Sequence, residues 1–135
     1  MSRGLKNNNP GNIRLSATRY RGEVESDDRA FKRFATPAWG YRAMFVLLYT
    51  YQRRHGLNTL AEMIDRYAPP CENDTRAYVG FVARTAGMPP DEMLNTLSRS
   101  DMVRVVSAMS RIENGVDAVA EDVAEGWELF IKHKP

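Results

Sequence analysis

The sequence predicts a mainly α (α+β) fold, a helical domain with a small β-hairpin near its N-terminus. Three observations carry this expectation. From Thr36 onward, apolar residues recur at helical spacing in successive runs. Those runs are bounded by hydroxyl, Asp, Gly or Pro signals that start and stop helices. Residues 1–35 instead hold Gly, Asn, Ser and many charges, with only short extended stretches.

Lys6-Asn7-Asn8-Asn9-Pro10-Gly11-Asn12-Ile13-Arg14 is too rich in Asn, Pro and Gly for a helix or a core strand. It reads as a rigid loop whose side-chain amides face outward. Asn12–Leu15, Arg21–Glu25 and Ala30–Phe34 read as short strands of an irregular hairpin that turns near Ser26-Asp27-Asp28.

Thr36-Pro37 places a cap before proline at the first helical position. Tyr41, Met44, Leu47, Leu48 and Tyr51 follow on one face, and Gly56 ends the helix. A second helix is expected from about Thr59 to Tyr67, stopped by Pro69-Pro70. Asp74 or Thr75 caps a third, with Tyr78, Phe81 and Val82 inward and Gly87 at its end. Ser98 or Ser100 caps a fourth, which carries Met102, Val105, Val106, Met109 and Ile112. The fifth covers Val119 to Lys132, with Val123, Trp127, Phe130 and Ile131 on its apolar face.

A chain of 135 residues fits one domain, 1–135, with a real core. Hydrophobic residues make up 43% and charged residues 27%, with a net charge of +2. This mild excess suits an anionic polymer but does not choose among them. The arginines are scattered along the sequence, so a nucleic-acid partner is not expected. Cys71 is the single cysteine, which excludes an intrachain disulfide. Met1 to Pro10 lacks the apolar segment of a signal peptide, so synthesis in the cytoplasm is expected. The apolar run Met44–Tyr51 is too short to span a bilayer, so no membrane insertion is expected. A monomer is expected.

Glu113 is the first candidate for chemistry. It shares a helix face with Val106 and Met109, so its carboxyl lies at the edge of the core. Partial desolvation and the negative end of the helix dipole both raise a carboxyl pKa. A carboxyl kept protonated near neutral pH can act as a general acid on a glycosidic oxygen. The plain alternative is a solvated helix-end residue paired with Arg111 or Arg14. The amides Asn7, Asn8, Asn9 and Asn12 suit recognition of N-acetylated sugars, or simply build a turn. Tyr67 and Tyr78 flank a proline-stiffened polar loop. Tyr67 can reach a substrate or pack, whereas Tyr78, in phase with Phe81 and Val82, reads first as core. Asn73, Asp74 and Thr75 between them read as helix caps. Glu23 and Glu25 alternate onto one strand face and are candidates for a second carboxylate. For Asp27 and Asp28 a solvated hairpin tip is the better reading. His55 and His133 are isolated, Cys71 has no base partner, and no phosphate-binding glycine loop occurs. No metal and no cofactor are expected.

The ordered set Asn8-Asn9-Pro10-Gly11-Asn12-Ile13-Arg14, Phe31 and Phe34, Gly40-Tyr41-Arg42-Ala43-Met44, Tyr67-Ala68-Pro69-Pro70, Glu72-Asn73-Asp74-Thr75, Tyr78 and Glu113-Asn114-Gly115 resembles virion-associated, lysozyme-like muramidases of phages and prophages. These are often labelled phage structural proteins. The same order is similar to flagellar-type N-acetylglucosaminidases and lytic transglycosylases. In that group, however, the catalytic Glu ends a helix that precedes the Asn-rich loop. Here Glu113 lies on a late helix, and a circular permutation reconciles the two orders.

The resemblance implies a lysozyme-like fold, with Glu113 as general acid on the glycan strand of peptidoglycan. It implies that Tyr67 orients the sugar, and that Asn9 and Asn12 line the cleft, with Asn73 and Tyr78 as further substrate contacts. Glu23 or Glu25 is the second acid if water attacks; otherwise the muramic 6-hydroxyl attacks and one carboxyl suffices. The implied partners are peptidoglycan and other virion proteins, with delivery to the wall by a phage particle or by lysis. A lysozyme-like virion or wall-binding protein without turnover is the alternative. The permutation predicts that Glu113 lies beside the Asn8–Arg14 loop and faces the hairpin.

Overall fold

The computed structural model describes residues Met1–Pro135. Six helices and a two-stranded sheet follow in the order α1 (Arg3–Lys6), β1 (Glu23–Val24), β2 (Arg33–Phe34), α2 (Pro37–His55), α3 (Leu60–Tyr67), α4 (Thr75–Ala86), α5 (Arg99–Asn114) and α6 (Ala120–Lys132). The fold is mainly α with a small β-hairpin, as the sequence pattern predicts.

The helix ends obey local chemistry. Thr36 caps α2 by accepting from the Trp39 amide, and Gly56 closes it in the left-handed conformation at φ 64°. Thr59 and Glu62 form a reciprocal capping box at α3. Asp74, rather than Thr75, caps α4. Ser98, rather than Ser100, caps α5, and Gly115 ends it at φ 74°.

The expectation of one apolar face on α2 is corrected. Buried residues run all round it, from Ala38 through Tyr51, because α2 is the central helix. It packs most extensively on α6. Phe45 meets Trp127 edge-on at 5.0 Å between ring centroids, and Tyr49 meets Phe130 at 5.5 Å. α4 packs on α5, which brings Tyr78, Val82, Val105, Val106 and Met109 into the same core. No helix is long and apolar enough to cross a membrane.

The N-terminal region departs from the sequence reading in three ways. Arg3–Lys6 is a helical turn, capped by Ser2, where only loop is expected. The paired strands are two residues each, in register Glu23↔Phe34 and Val24↔Arg33, with a single further bridge at Arg14↔Phe31. Asp28 is not a solvated tip residue. It accepts from the Ala30 and Phe31 amides and takes a bidentate pair from Arg3 at 2.7 Å, which ties the hairpin loop to α1.

Candidate functional site

The site forms where the C-terminal end of α5 meets the Asn-rich loop. Glu113 is half-buried one residue before the end of α5. One carboxyl oxygen, Oε1, accepts from Asn12 Nδ2 at 2.9 Å. The other, Oε2, accepts from the Tyr78 hydroxyl at 3.0 Å. Glu113 therefore pairs with neither Arg111, which faces Asp117, nor Arg14, which reaches Glu72.

Burial pushes the Glu113 carboxyl above its ordinary range. The bonds from Asn12 and Tyr78 and the nearby Arg14 charge pull the other way without cancelling it. A carboxylate has about four lone-pair sites, so two held oxygens still leave room for a proton and a substrate atom.

The loop is held in place by close contacts rather than by strand pairing. Asn114, next to Glu113, donates from Nδ2 to the Pro10 carbonyl at 2.8 Å and to the Ser110 carbonyl at 2.9 Å. Its Oδ1 accepts from the Ser2 hydroxyl at 2.7 Å. One amide thus joins α5, the loop and the cap of α1. A Cβ added at Gly4 lies 2.7 Å from both Asn114 Oδ1 and Asn12 Oδ1, so only glycine lets α1 seat against the site. Asn12 itself takes φ 49°, a left-handed conformation that Asn tolerates better than most residues.

The predicted juxtaposition of Glu113 with the Asn8–Arg14 loop is present. Among the residues expected to touch substrate, however, Asn9 is corrected. It is fully buried, donating to the Ile13 and Lys32 carbonyls and accepting from the Ile13 amide. Asn7 is also buried. The loop's amides face inward because a chain with so few strand bonds must satisfy its backbone groups with side chains.

Tyr67 is half-buried, and its hydroxyl donates to the Gly11 carbonyl. Burial foremost, then Tyr78 and Glu113, hold that hydroxyl well above its ordinary pKa. It braces the loop from α3. Tyr78 is both core and site: its residue is 5% exposed, yet its hydroxyl reaches Glu113. Asn73 and Tyr78 line the same open groove of about 470 Å³ between the start of α4 and Ile112 of α5.

The two hairpin carboxylates differ from each other. Glu23 has a side chain 4% exposed and is held by Lys32 Nζ at 3.1 Å and by the Tyr20 amide. It is corrected from second acid to partner of a buried lysine. Glu25 lies beyond the end of β1 and is exposed. Neither hydrogen-bonds to Glu113 or to its holders.

Two contributors are not singled out by sequence reading. Asn114 sits inside the Glu113-Asn114-Gly115 motif, but its clamp depends on the Pro10 carbonyl and the Ser2 hydroxyl, 104 and 112 positions away. Lys32 has no solvent exposure and donates to the Ser16 and Thr18 carbonyls as well as to Glu23. Only the alternation of Phe31-Lys32-Arg33-Phe34 hints at an inward Lys32.

Over 132 residues the chain is 39% identical to protein P5 of Pseudoalteromonas phage PM2, covering 94% of this chain and 81% of that protein. No protein-family model matches the chain.

Proposed function

We propose that this chain, which belongs to the family of protein P5 of Pseudoalteromonas phage PM2, cleaves the glycan strand of peptidoglycan with Glu113 as its single acid. One observation carries the reading: a half-buried carboxyl with a raised pKa, fixed by Asn12 and Tyr78 at the end of a helix. Such a group holds its proton to a higher pH than an ordinary carboxyl and can release it to a leaving oxygen. The phage relative agrees with an origin in which a wall must be crossed.

With Glu23 committed to Lys32, a transglycosylase route suits the residues best. The Glu113 proton passes to the oxygen linking N-acetylmuramic acid to N-acetylglucosamine, and the bond from that oxygen to the muramic C1 breaks. The muramic 6-hydroxyl attacks C1 and gives its proton to the Glu113 carboxylate. The acid is restored, and the product carries a 1,6-anhydro ring. Asn12 and Tyr78 orient the carboxyl in both protonation states, while Asn73 borders the groove along which a strand can lie. Hydrolysis would need a second carboxylate about 6.5–9.5 Å away for inversion, or a closer one for retention.

Digestion of purified peptidoglycan by the wild-type protein, with fragments read by mass spectrometry, tests this. Anhydro-muropeptides are expected. New reducing ends would replace transglycosylation by hydrolysis. No release, alongside measurable wall binding, would favour a wall-binding virion protein that keeps the site without turnover.

A further inference from the structure

A second region lies apart from Glu113 and shares no residue with its hydrogen-bond partners or with the groove beside Tyr78. It is an open cavity of about 840 Å³ between the segment Thr18–Arg21, the middle and end of α2, Arg66 of α3 and the C-terminal residues. Arg19, Arg21, Arg42, Arg54, Arg66, Lys132 and Lys134 line it, together with His55 and His133, and no Asp or Glu does. More than a third of the chain's 19 Lys and Arg residues therefore face one cavity in a protein whose net charge is only +2. Apart from Arg19, which pairs with Glu23, none of these Arg or Lys side chains forms an ion pair.

Arg42 makes this a built site rather than a solvated face. It is 5% exposed, projects from the central helix and donates from one terminal nitrogen to the His133 carbonyl. Its Nε is buried with no hydrogen-bond partner. A largely buried guanidinium without an Asp or Glu partner is costly unless another anion completes it. Burial first, then the charges of Arg21, Lys132 and Arg42, hold the His133 imidazole below its ordinary pKa.

We propose that this cavity binds a compact, multiply charged phosphoryl group, with Arg42 as its buried anchor. Guanidinium forks match phosphate oxygens in pairs, and several cations converging in a concavity favour high charge in a small volume. Two larger ligands fit less well. Tyr51 is already covered by His55 and Arg66, and Tyr20 by Phe34 and Lys32, so no free aromatic face is offered to a nucleobase. None of the exposed large apolar side chains lines the cavity, as a membrane-inserting surface would need.

Titration calorimetry with inorganic pyrophosphate tests the proposal. Saturable one-to-one binding is expected, weakened at least tenfold in the double variant Arg21→Gln/Arg54→Gln, whose exposed positions spare the core. Arg42→Gln should abolish binding and, should it fail to fold, the double variant decides alone. Arg76→Gln/Arg84→Gln, on α4, should leave binding unchanged. Competition by a sugar phosphate separates the sources: tighter binding than pyrophosphate assigns a phosphorylated saccharide, and weaker binding a free phosphate. Absent pyrophosphate binding, or binding equal in wild type and double variant, overturns the proposal. So does variant-sensitive binding confined to single-stranded oligonucleotides or anionic vesicles.

Discussion

Asn12 and Glu113 stand 101 positions apart and meet through one hydrogen bond of 2.9 Å. The amide donates to the carboxyl, so it favours the ionised form and offsets part of the burial that raises the Glu113 pKa. Asn12→Gly keeps the left-handed backbone at φ 49° and removes only the donor. The Glu113 pKa should rise further, visible in a carboxyl-detected NMR titration, and glycan cleavage should fall about tenfold as orientation is lost.

Tyr78→Phe separates the two roles of that residue. The ring keeps its core packing, so stability should change by only about 1 kcal/mol, the worth of one hydrogen bond. The Glu113 carboxyl loses its second donor, so the upper limb of the pH–rate profile should move to higher pH. Thermal melts and a pH profile on the same preparation check both.

Asn114→Ala removes the clamp between α5, Pro10 and Ser2. Leaving the Pro10 carbonyl without its partner should cost about 1–3 kcal/mol. Hydrogen exchange should speed up first in Arg3–Asn12, with α2 and α6 still protected. Uniform loss of protection would mean that the N-terminal turn is not a separable unit.

Asp28 sets a pH dependence of stability. Arg3 first, then the Ala30 amide, hold its carboxyl well below its ordinary value of 3.8. A depressed folded-state pKa contributes stability that is present above the unfolded value and lost as pH falls below it. Unfolding by urea at pH 5 and pH 3 should show that loss in wild type, and Asp28→Asn should show less of it. Glu113 has the opposite sign. Its raised pKa costs stability as pH climbs through the unfolded value of 4.5 toward the folded one, so Glu113→Gln should be relatively more stable near neutrality.

The sequence makes the helices readable because their signals are local. Thr36-Pro37, the Thr59–Glu62 box and the glycines at 56, 87 and 115 each act within a turn of the residue they cap. Glu113 is readable for the same reason, since its phase with Val106 and Met109 places it at the core's edge. The rest depends on distant partners. Asn9 and Asn12 look alike in sequence, yet one satisfies buried carbonyls and the other holds a carboxyl. α1 is too short to form alone and persists because Gly4 seats against Asn12 and Asn114. The cations at 19, 21, 42, 54, 66, 132 and 134 are dispersed along the chain, and only the tertiary fold gathers them from the segment before β1, α2, α3 and the C-terminal end of α6.

The most direct test of the central claim is the rate of muropeptide release by Glu113→Gln against wild type, with circular dichroism to establish that both are folded. Loss of a general acid should lower the rate by about 10²–10⁴-fold while wall binding is kept. Equal release by both proteins would contradict the assignment and place the acid elsewhere.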